Sequence, residues 1–250
     1  MRLNVHHFGA GTPRALLLHG LSSSGATWWQ IGTMLEAAGH SSIAPDLRGH
    51  GQSEHPAEYS LDGYASDVIE TCPGPWPLVI GHSLGGATAV RAASLDPEFA
   101  DAYLLIDPAI DFDPVAAETV RTAVVADVAD PPSIEQLLAE RPQWSTADAE
   151  RKREALLATS VTVMNRTFAD NRSWWLGAEL SRISVAVHLL GADEEPLYTA
   201  DAFGRHRKNG ENLTFEHVPG TGHSIHRDDP ETVVSRALEL LAPGSFSSSP

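Results

Sequence analysis

The stretch Leu78-Val79-Ile80-Gly81-His82-Ser83-Leu84-Gly85-Gly86-Ala87-Thr88-Ala89-Val90 decides how this chain folds. Three apolar residues read as a strand buried on both faces. A G-x-S-x-G turn follows, and a helix opens at Leu84 and is expected to reach Leu95. A serine held between strand and helix sits on a turn so sharp that its backbone is strained, so small residues must flank it. Gly81 and Gly85 supply that room, and Gly86 lets the helix come close to the strand. Ser83 is therefore expected at a helix N-terminus on the sheet's edge, as a candidate nucleophile.

Outward from this unit, the same rhythm repeats. Apolar runs at Ala15–Leu18, 42–44, 103–106, 185–190 and Leu213–Val218 end in turn residues, and helix-like stretches such as 28–38 lie between them. Continuous rather than alternating apolar strands belong to parallel sheets covered on both faces, so the expected class is a doubly wound α/β fold. Residues 108–182 break the rhythm. No strand is legible there, whereas Ile134–Glu140 and 146–163 read as helices and Trp144, Trp174 and Trp175 accompany them. A long helical insertion between two strands reads as a cap over the sheet's C-terminal edge. The expected division is a core of residues 1–107 and 183–242, a cap of residues 108–182, and a frayed tail of residues 243–250.

Composition narrows the class of function. The chain has 250 residues with 17 Lys+Arg against 33 Asp+Glu, a formal net charge of −16. Such an acidic excess argues against nucleic-acid partners, whose phosphates call for clustered Lys and Arg, and against anionic membrane surfaces. No apolar run approaches the roughly 20 residues of a membrane span. The start Met1-Arg2-Leu3-Asn4-Val5 lacks the pattern of a secretory signal, and the lone Cys72 fits a reducing compartment, so a cytoplasmic location is expected.

A serine hydroxyl needs a base and the base needs an orienting acid. Among 12 histidines, His223 in Gly220-Thr221-Gly222-His223-Ser224 is the best placed, on a glycine-rich loop after the last apolar run. His226 is its competitor. For the acid, Asp193 follows the strand before the histidine's strand, Asp107 ends the strand after the serine's, and Glu194 is a third candidate. Asp193 is favoured, and all three stay open.

These landmarks resemble the α/β-hydrolase superfamily, from about residue 5 to residue 242. They are Leu18-His19-Gly20, Asp46-Leu47-Arg48-Gly49-His50-Gly51-Gln52-Ser53, Gly81-His82-Ser83-Leu84-Gly85-Gly86 and Gly222-His223-Ser224, in the superfamily's order. The resemblance implies an eight-stranded, mostly parallel sheet with helices on both faces, a helical cap, and a Ser–His–acid triad working without a cofactor. It further implies an oxyanion hole built from the Leu21 and Leu84 amides. The segment from Asp46 to Ser53 would buttress the site. The chain departs from the usual pattern at the acid: three residues after Gly191 stands Glu194, with Asp193 one place early, while some relatives carry the acid where Asp107 stands.

A serine at this turn disfavours dehalogenase and epoxide-hydrolase chemistry, which use aspartate there, and favours hydrolysis of a carboxylic ester or lactone. The alternatives are a carbon–carbon bond hydrolase of ring-cleavage products, with Arg141, Arg151, Arg166 and Arg172 available to acidic substrates, a cofactor-free perhydrolase or haloperoxidase, and a non-catalytic ligand receptor. Trp144, Met164, Phe168, Trp174 and Trp175 are expected to line an apolar pocket for a small-molecule substrate, with Leu21 and Trp28 flanking it.

Overall fold

The structure, a computed structural model, describes residues 1–242 apart from Phe112, Arg172, Glu195 and residues 208–211. Its elements follow in the order β1 (Val5–Phe8), β2 (Ala15–Leu18), α1 (Trp29–Ala37), β3 (Ser42–Pro45), α2 (Leu61–Thr71), β4 (Leu78–His82), α3 (Leu84–Leu95) and β5 (Ala102–Ile106). Then come α4 (Pro114–Ala129), α5 (Ile134–Glu140), α6 (Thr146–Leu157), α7 (Val161–Asp170) and α8 (Gly177–Leu180). The chain returns through β6 (Ala186–Ala192), α9 (Ala200–His206), β7 (Leu213–Val218), α10 (Ile225–Asp228) and α11 (Pro230–Leu241). The proposed tail, residues 243–250, and Arg172 lie outside the described residues.

The strands form one sheet in the order β1-β3-β2-β4-β5-β6-β7. Only β1 is antiparallel, pairing with β3; the remaining neighbours run parallel. Side chains alternate between two cores, as strand geometry requires. Leu16, Leu18, Val79 and Leu105 join α2 and α3 on one face. Leu17, Leu78, Ile80 and Leu104 join Ile31 and Leu35 of α1 and Val233 and Ala237 of α11 on the other. This is the expected α/β-hydrolase architecture, with seven strands among the described residues where eight were expected. The strand absent from the sequence reading is β1. It is a half-exposed edge strand carrying His6 and His7, so it offers no continuous apolar run to read.

The helices between β5 and β6 are ordered by local chemistry. Asp113 accepts hydrogen bonds from the Val115 and Ala116 amides at the start of α4, with Pro114 in the first turn. Capping boxes open α5, from Ser133 and Gln136, and α6, from Ser145 and Asp148. The stretch expected as one helix over 146–163 is two. Thr159 turns its hydroxyl back onto the Ala155 carbonyl, and Ser160 accepts from the Val163 amide and caps α7. α4 is hard to read from sequence because its apolar face is only half covered: Ala117, Val120, Val124 and Val125 are partly buried against the core, and only Val128 is fully so.

Candidate active site

Parallel register brings the candidates to one edge. His82 at the end of β4 pairs with Ile106 at the end of β5, so Ser83 and Asp107 leave neighbouring strands side by side. Ser83 has φ 51° and ψ −116°, a left-handed conformation that an L-residue holds only under constraint. The constraint is visible. A Cβ on Gly85 would lie 2.0 Å from the Leu18 carbonyl oxygen, and one on Gly81 would lie 2.6 Å from that of Gly85. Only glycines allow α3 to close so tightly on the ends of β2 and β4. Asp107 also has positive φ, 39°.

His223 reaches this edge from the loop after β7. Its Nδ1–H donates to Asp107 Oδ2 at 2.6 Å. Asp107 is wholly buried and also accepts from the amides of Leu197 at 3.1 Å and Tyr198 at 3.0 Å. Three donors thus satisfy a buried carboxylate and fix its orientation. With Nδ1 committed, the Nε2 of His223 is the nitrogen left to exchange a proton. The sequence reading missed the support given by His82. Its Nε2–H donates to the His223 carbonyl at 2.9 Å, and its ring lies 4.6 Å from that of His223. Burial, then the neighbouring His223, pushes the His82 pKa far down. Its position in the G-x-S-x-G turn carries no sign of this, because the contact spans 141 residues of sequence.

The favoured acid, Asp193, is not at the histidine. Its Oδ1 lies 3.1 Å from His217 Nε2, its Oδ2 accepts from the Gly220 amide at 2.9 Å, and it is exposed. Register explains this. Ala192 pairs with Val218, so Asp193 emerges beside the turn out of β7, on the outer side of the sheet. Glu194 is likewise exposed, its amide donating to the Thr221 carbonyl at 3.1 Å. His226 stacks on Trp28 and His82, with centroids 4.7 Å and 4.5 Å away; burial holds it far below its ordinary pKa.

The loop after β2 forms the other wall. A Cβ on Gly20 would lie 3.1 Å from the Ser83 Cβ, so the backbone leading to Leu21 passes directly beside the serine. His19 fixes that loop. Its Nδ1–H donates to the Gly20 carbonyl at 2.8 Å and its Nε2 accepts from the Leu47 amide at 2.9 Å. Burial lowers its pKa to about 4, so the ring is neutral at pH 7. Leu47 in turn follows Asp46, whose carboxylate accepts from the amides of Gly25 at 2.7 Å and Gln52 at 2.9 Å and from Asn4 Nδ2 at 2.8 Å. Burial alone would raise the Asp46 pKa. Hydrogen bonds from His6 and Gln52 reverse that and hold it well below the usual carboxylate range.

Ser83 and His223 line one cavity of about 350 Å³, together with Leu21 and, across from them, Thr119, Val120 and Val124 of α4 and Leu137 of α5. Trp144 also lines it, its indole N–H donating to Asp228 Oδ1 at 2.8 Å. The other expected pocket residues lie elsewhere. Met164 is fully buried in the core. Trp174 and Trp175 border a separate shallow pocket with Phe168, because Trp174 packs inward on Phe168 while Trp175 is 54% exposed. Trp28 is buried under His226. Of the arginines, Arg141 lines the cavity, Arg151 covers the Trp29 ring, and Arg166 pairs with Asp170. Among the described residues, no cluster of three His, Cys, Asp or Glu side chains is arranged to hold a metal ion, and no helix is long and apolar enough to cross a membrane.

Comparison with known proteins agrees with this fold. The chain is 29% identical over 257 residues to 2-(acetamidomethylene)succinate hydrolase of Mesorhizobium japonicum, covering 96% of this chain and 91% of that one. It is 32% identical over 154 residues to the lipase LipV of Mycobacterium tuberculosis, a match spanning 59% of this chain and 57% of the lipase. Among solved structures, N-formylmaleamic acid deformylase of Pseudomonas putida S16 superposes with a TM-score of 0.76 at 21% identity, covering 94% of each chain. The alpha/beta hydrolase family profile matches residues 15–237, and the chain belongs to that family.

Proposed function

We propose that the protein is a serine hydrolase that cleaves a small carboxylic ester or lactone through an acyl-enzyme. The observation carrying this reading is the strained Ser83 sharing a cavity with His223, whose other nitrogen is held 2.6 Å from Asp107. The lipase among the relatives supports it.

His223 Nε2 takes the hydroxyl proton as Ser83 Oγ forms a bond to the substrate carbonyl carbon. Charge collects on the carbonyl oxygen, where the Leu84 amide at the start of α3 and the Leu21 amide donate to it. As the tetrahedral intermediate collapses, the bond to the leaving oxygen breaks and His223 returns its proton to that oxygen. Water then attacks the acyl-serine by the same route, its proton passing to His223 and finally to Ser83 Oγ. Asp107 keeps the imidazole in the tautomer with Nδ1 protonated and stabilises the imidazolium. Asp107, not the favoured Asp193, therefore takes the acid's role in this reading. α4, α5 and α6 cover the reacting groups as a cap, drawn from the segment 108–182.

A fluorophosphonate should label wild-type protein stoichiometrically at Ser83, with Ser83→Ala unlabelled and its turnover of p-nitrophenyl butyrate lowered by about 10⁴-fold or more. Labelling elsewhere, or turnover retained by Ser83→Ala, would remove the nucleophile.

A further inference from the structure

The cavity wall carries two basic side chains that the proposed chemistry leaves unused. Lys152 on α6 and Arg227 on α10 both line it. Arg227 is only 5% exposed. In a chain of net charge −16, a buried cation should find a carboxylate, because an unpaired buried charge is costly. Neither does so: among the described residues no carboxylate lies within ion-pair distance of either. Lys152 Nζ donates to the carbonyl oxygen of Ser22 at 2.8 Å and to its hydroxyl at 2.9 Å. Arg227 makes only long contacts, 3.3 Å to Ser23 Oγ and 3.4 Å to Ser224 Oγ.

The acidic residues nearby are committed elsewhere. Asp148 accepts from Trp29 Nε1 and from Ser145. Asp228 accepts from Trp144 Nε1 and from the Gly222 amide. Asp127, Glu140 and Arg141 also border the cavity, but all three are exposed and their mixed charges are screened by solvent. Asp148 and Asp228 offset part of the Arg227 charge and Asp127 part of that of Lys152, yet none of them meets either cation directly. Burial, and then Arg227, lowers the Lys152 pKa to about 7; an anion set between the two groups would relieve both effects.

Geometry favours a planar anion. Arg227 lies over the Trp144 ring, its guanidinium carbon 4.8 Å from the ring centre, which restrains a fork suited to two carboxylate oxygens. Ser22, Ser23 and Ser224, which hold the two cations, flank Leu21 and His223 in sequence, so the cations stand next to the reacting groups. Resting on the serine-hydrolase reading, we infer that Lys152 and Arg227 form a carboxylate-binding subsite, and that the substrate is a hydrolysable acyl compound bearing a free carboxylate a few bonds from the scissile carbonyl. A half-ester of a short dicarboxylic acid is the simplest member of this class.

The test compares charged and uncharged partners of matched shape on the wild-type protein. Succinate should slow fluorophosphonate labelling of Ser83 at a concentration about tenfold or more below that needed by succinamide. p-Nitrophenyl hemisuccinate should exceed p-nitrophenyl butyrate in kcat/KM by about tenfold, mostly through KM. Lys152→Met and Arg227→Gln should each lower that ratio several-fold, and Lys152→Arg should restore part of it. Equal protection by succinate and succinamide overturns the subsite, as does a ratio that neither substitution changes. Stronger protection by inorganic phosphate than by succinate overturns the assignment of the anion as a carboxylate. The outcomes remain separable from those of the nucleophile. If Ser83 is not labelled, a larger rise in Tm with succinate than with succinamide supports the subsite, and equal shifts reject it.

Discussion

Asp107 Oδ2 stands 2.6 Å from His223 Nδ1 across 116 residues of sequence, while Asp193, only 30 residues before the histidine (223 − 193), is turned away to His217. Replacing Asp107 by Asn presents an amide where the imidazole needs an acceptor and favours the wrong tautomer. Asp107→Asn should lower kcat by about 10³- to 10⁴-fold, and Asp193→Asn should change it less than about threefold. Steady-state kinetics on p-nitrophenyl butyrate decide it, with the opposite ranking restoring Asp193.

Gly85 admits no side chain. A Cβ there would meet the Leu18 backbone oxygen at 2.0 Å, an atom that no rotamer change can move. Gly85→Ala should therefore push α3 from β2, cost about 3 kcal/mol or more of stability, and abolish labelling of Ser83 in whatever folded protein remains. Urea unfolding followed by tryptophan fluorescence reads the first effect. A loss below 1 kcal/mol, on the same scale, would contradict the packing.

Acid should unfold this protein early. His19 and His50 are buried and neutral, with burial lowering their pKa values to about 4 and about 3. Once unfolded, both would titrate near 6.5. Between those values the unfolded chain binds more protons, so stability rises with pH and is lost as pH falls from about 6.5 toward 4. His19 alone contributes on the order of 3 kcal/mol across that window. Asp46, held well below the ordinary carboxylate range, adds to the loss in more acidic solution. Urea midpoints at pH 7.5 and pH 5.0 should differ markedly; a flat profile would mean that these histidines are hydrated.

Arg48 and Asp67 form a buried pair, Nε to Oδ2 at 2.7 Å, that ties the segment after Asp46 to α2. Removing Arg48 takes the partner of Asp67 Oδ2 away and leaves Oδ1 on the Met1 amine at 2.6 Å. Arg48→Met should cost about 1–3 kcal/mol, and Arg48→Met with Asp67→Leu should recover much of it. The thermal midpoints of the single and double variants check this.

Much of the fold is legible from the chain because its strands are apolar on both faces. Ala15–Leu18, Leu84–Leu95, Ile134–Glu140 and Leu213–Val218 are read to the residue. β1 is not legible, since an edge strand with His6 and His7 carries no such run. Ser83 and His223 stand out because glycine-rich turns at strand ends have few other uses. The carboxylate that meets His223 does not, because Asp107 and Asp193 both follow strands and only the β6–β7 register tells which one faces inward. Lys152 and Arg227 are invisible for another reason: they lie on helices with unremarkable charge patterns, and only packing brings them to one cavity. Trp174 and Trp175 mislead because large aromatic residues in a helical insertion serve its own packing as readily as a pocket.

Helix α6 is fastened to the core through its first half, by Asp148 to the Trp29 indole and by Lys152 to Ser22, and Trp144 just before it is bonded to Asp228. Three such bonds brace the stretch of chain that carries Trp144 and Lys152 to the cavity wall, so a molecule entering on that side meets a surface already in place.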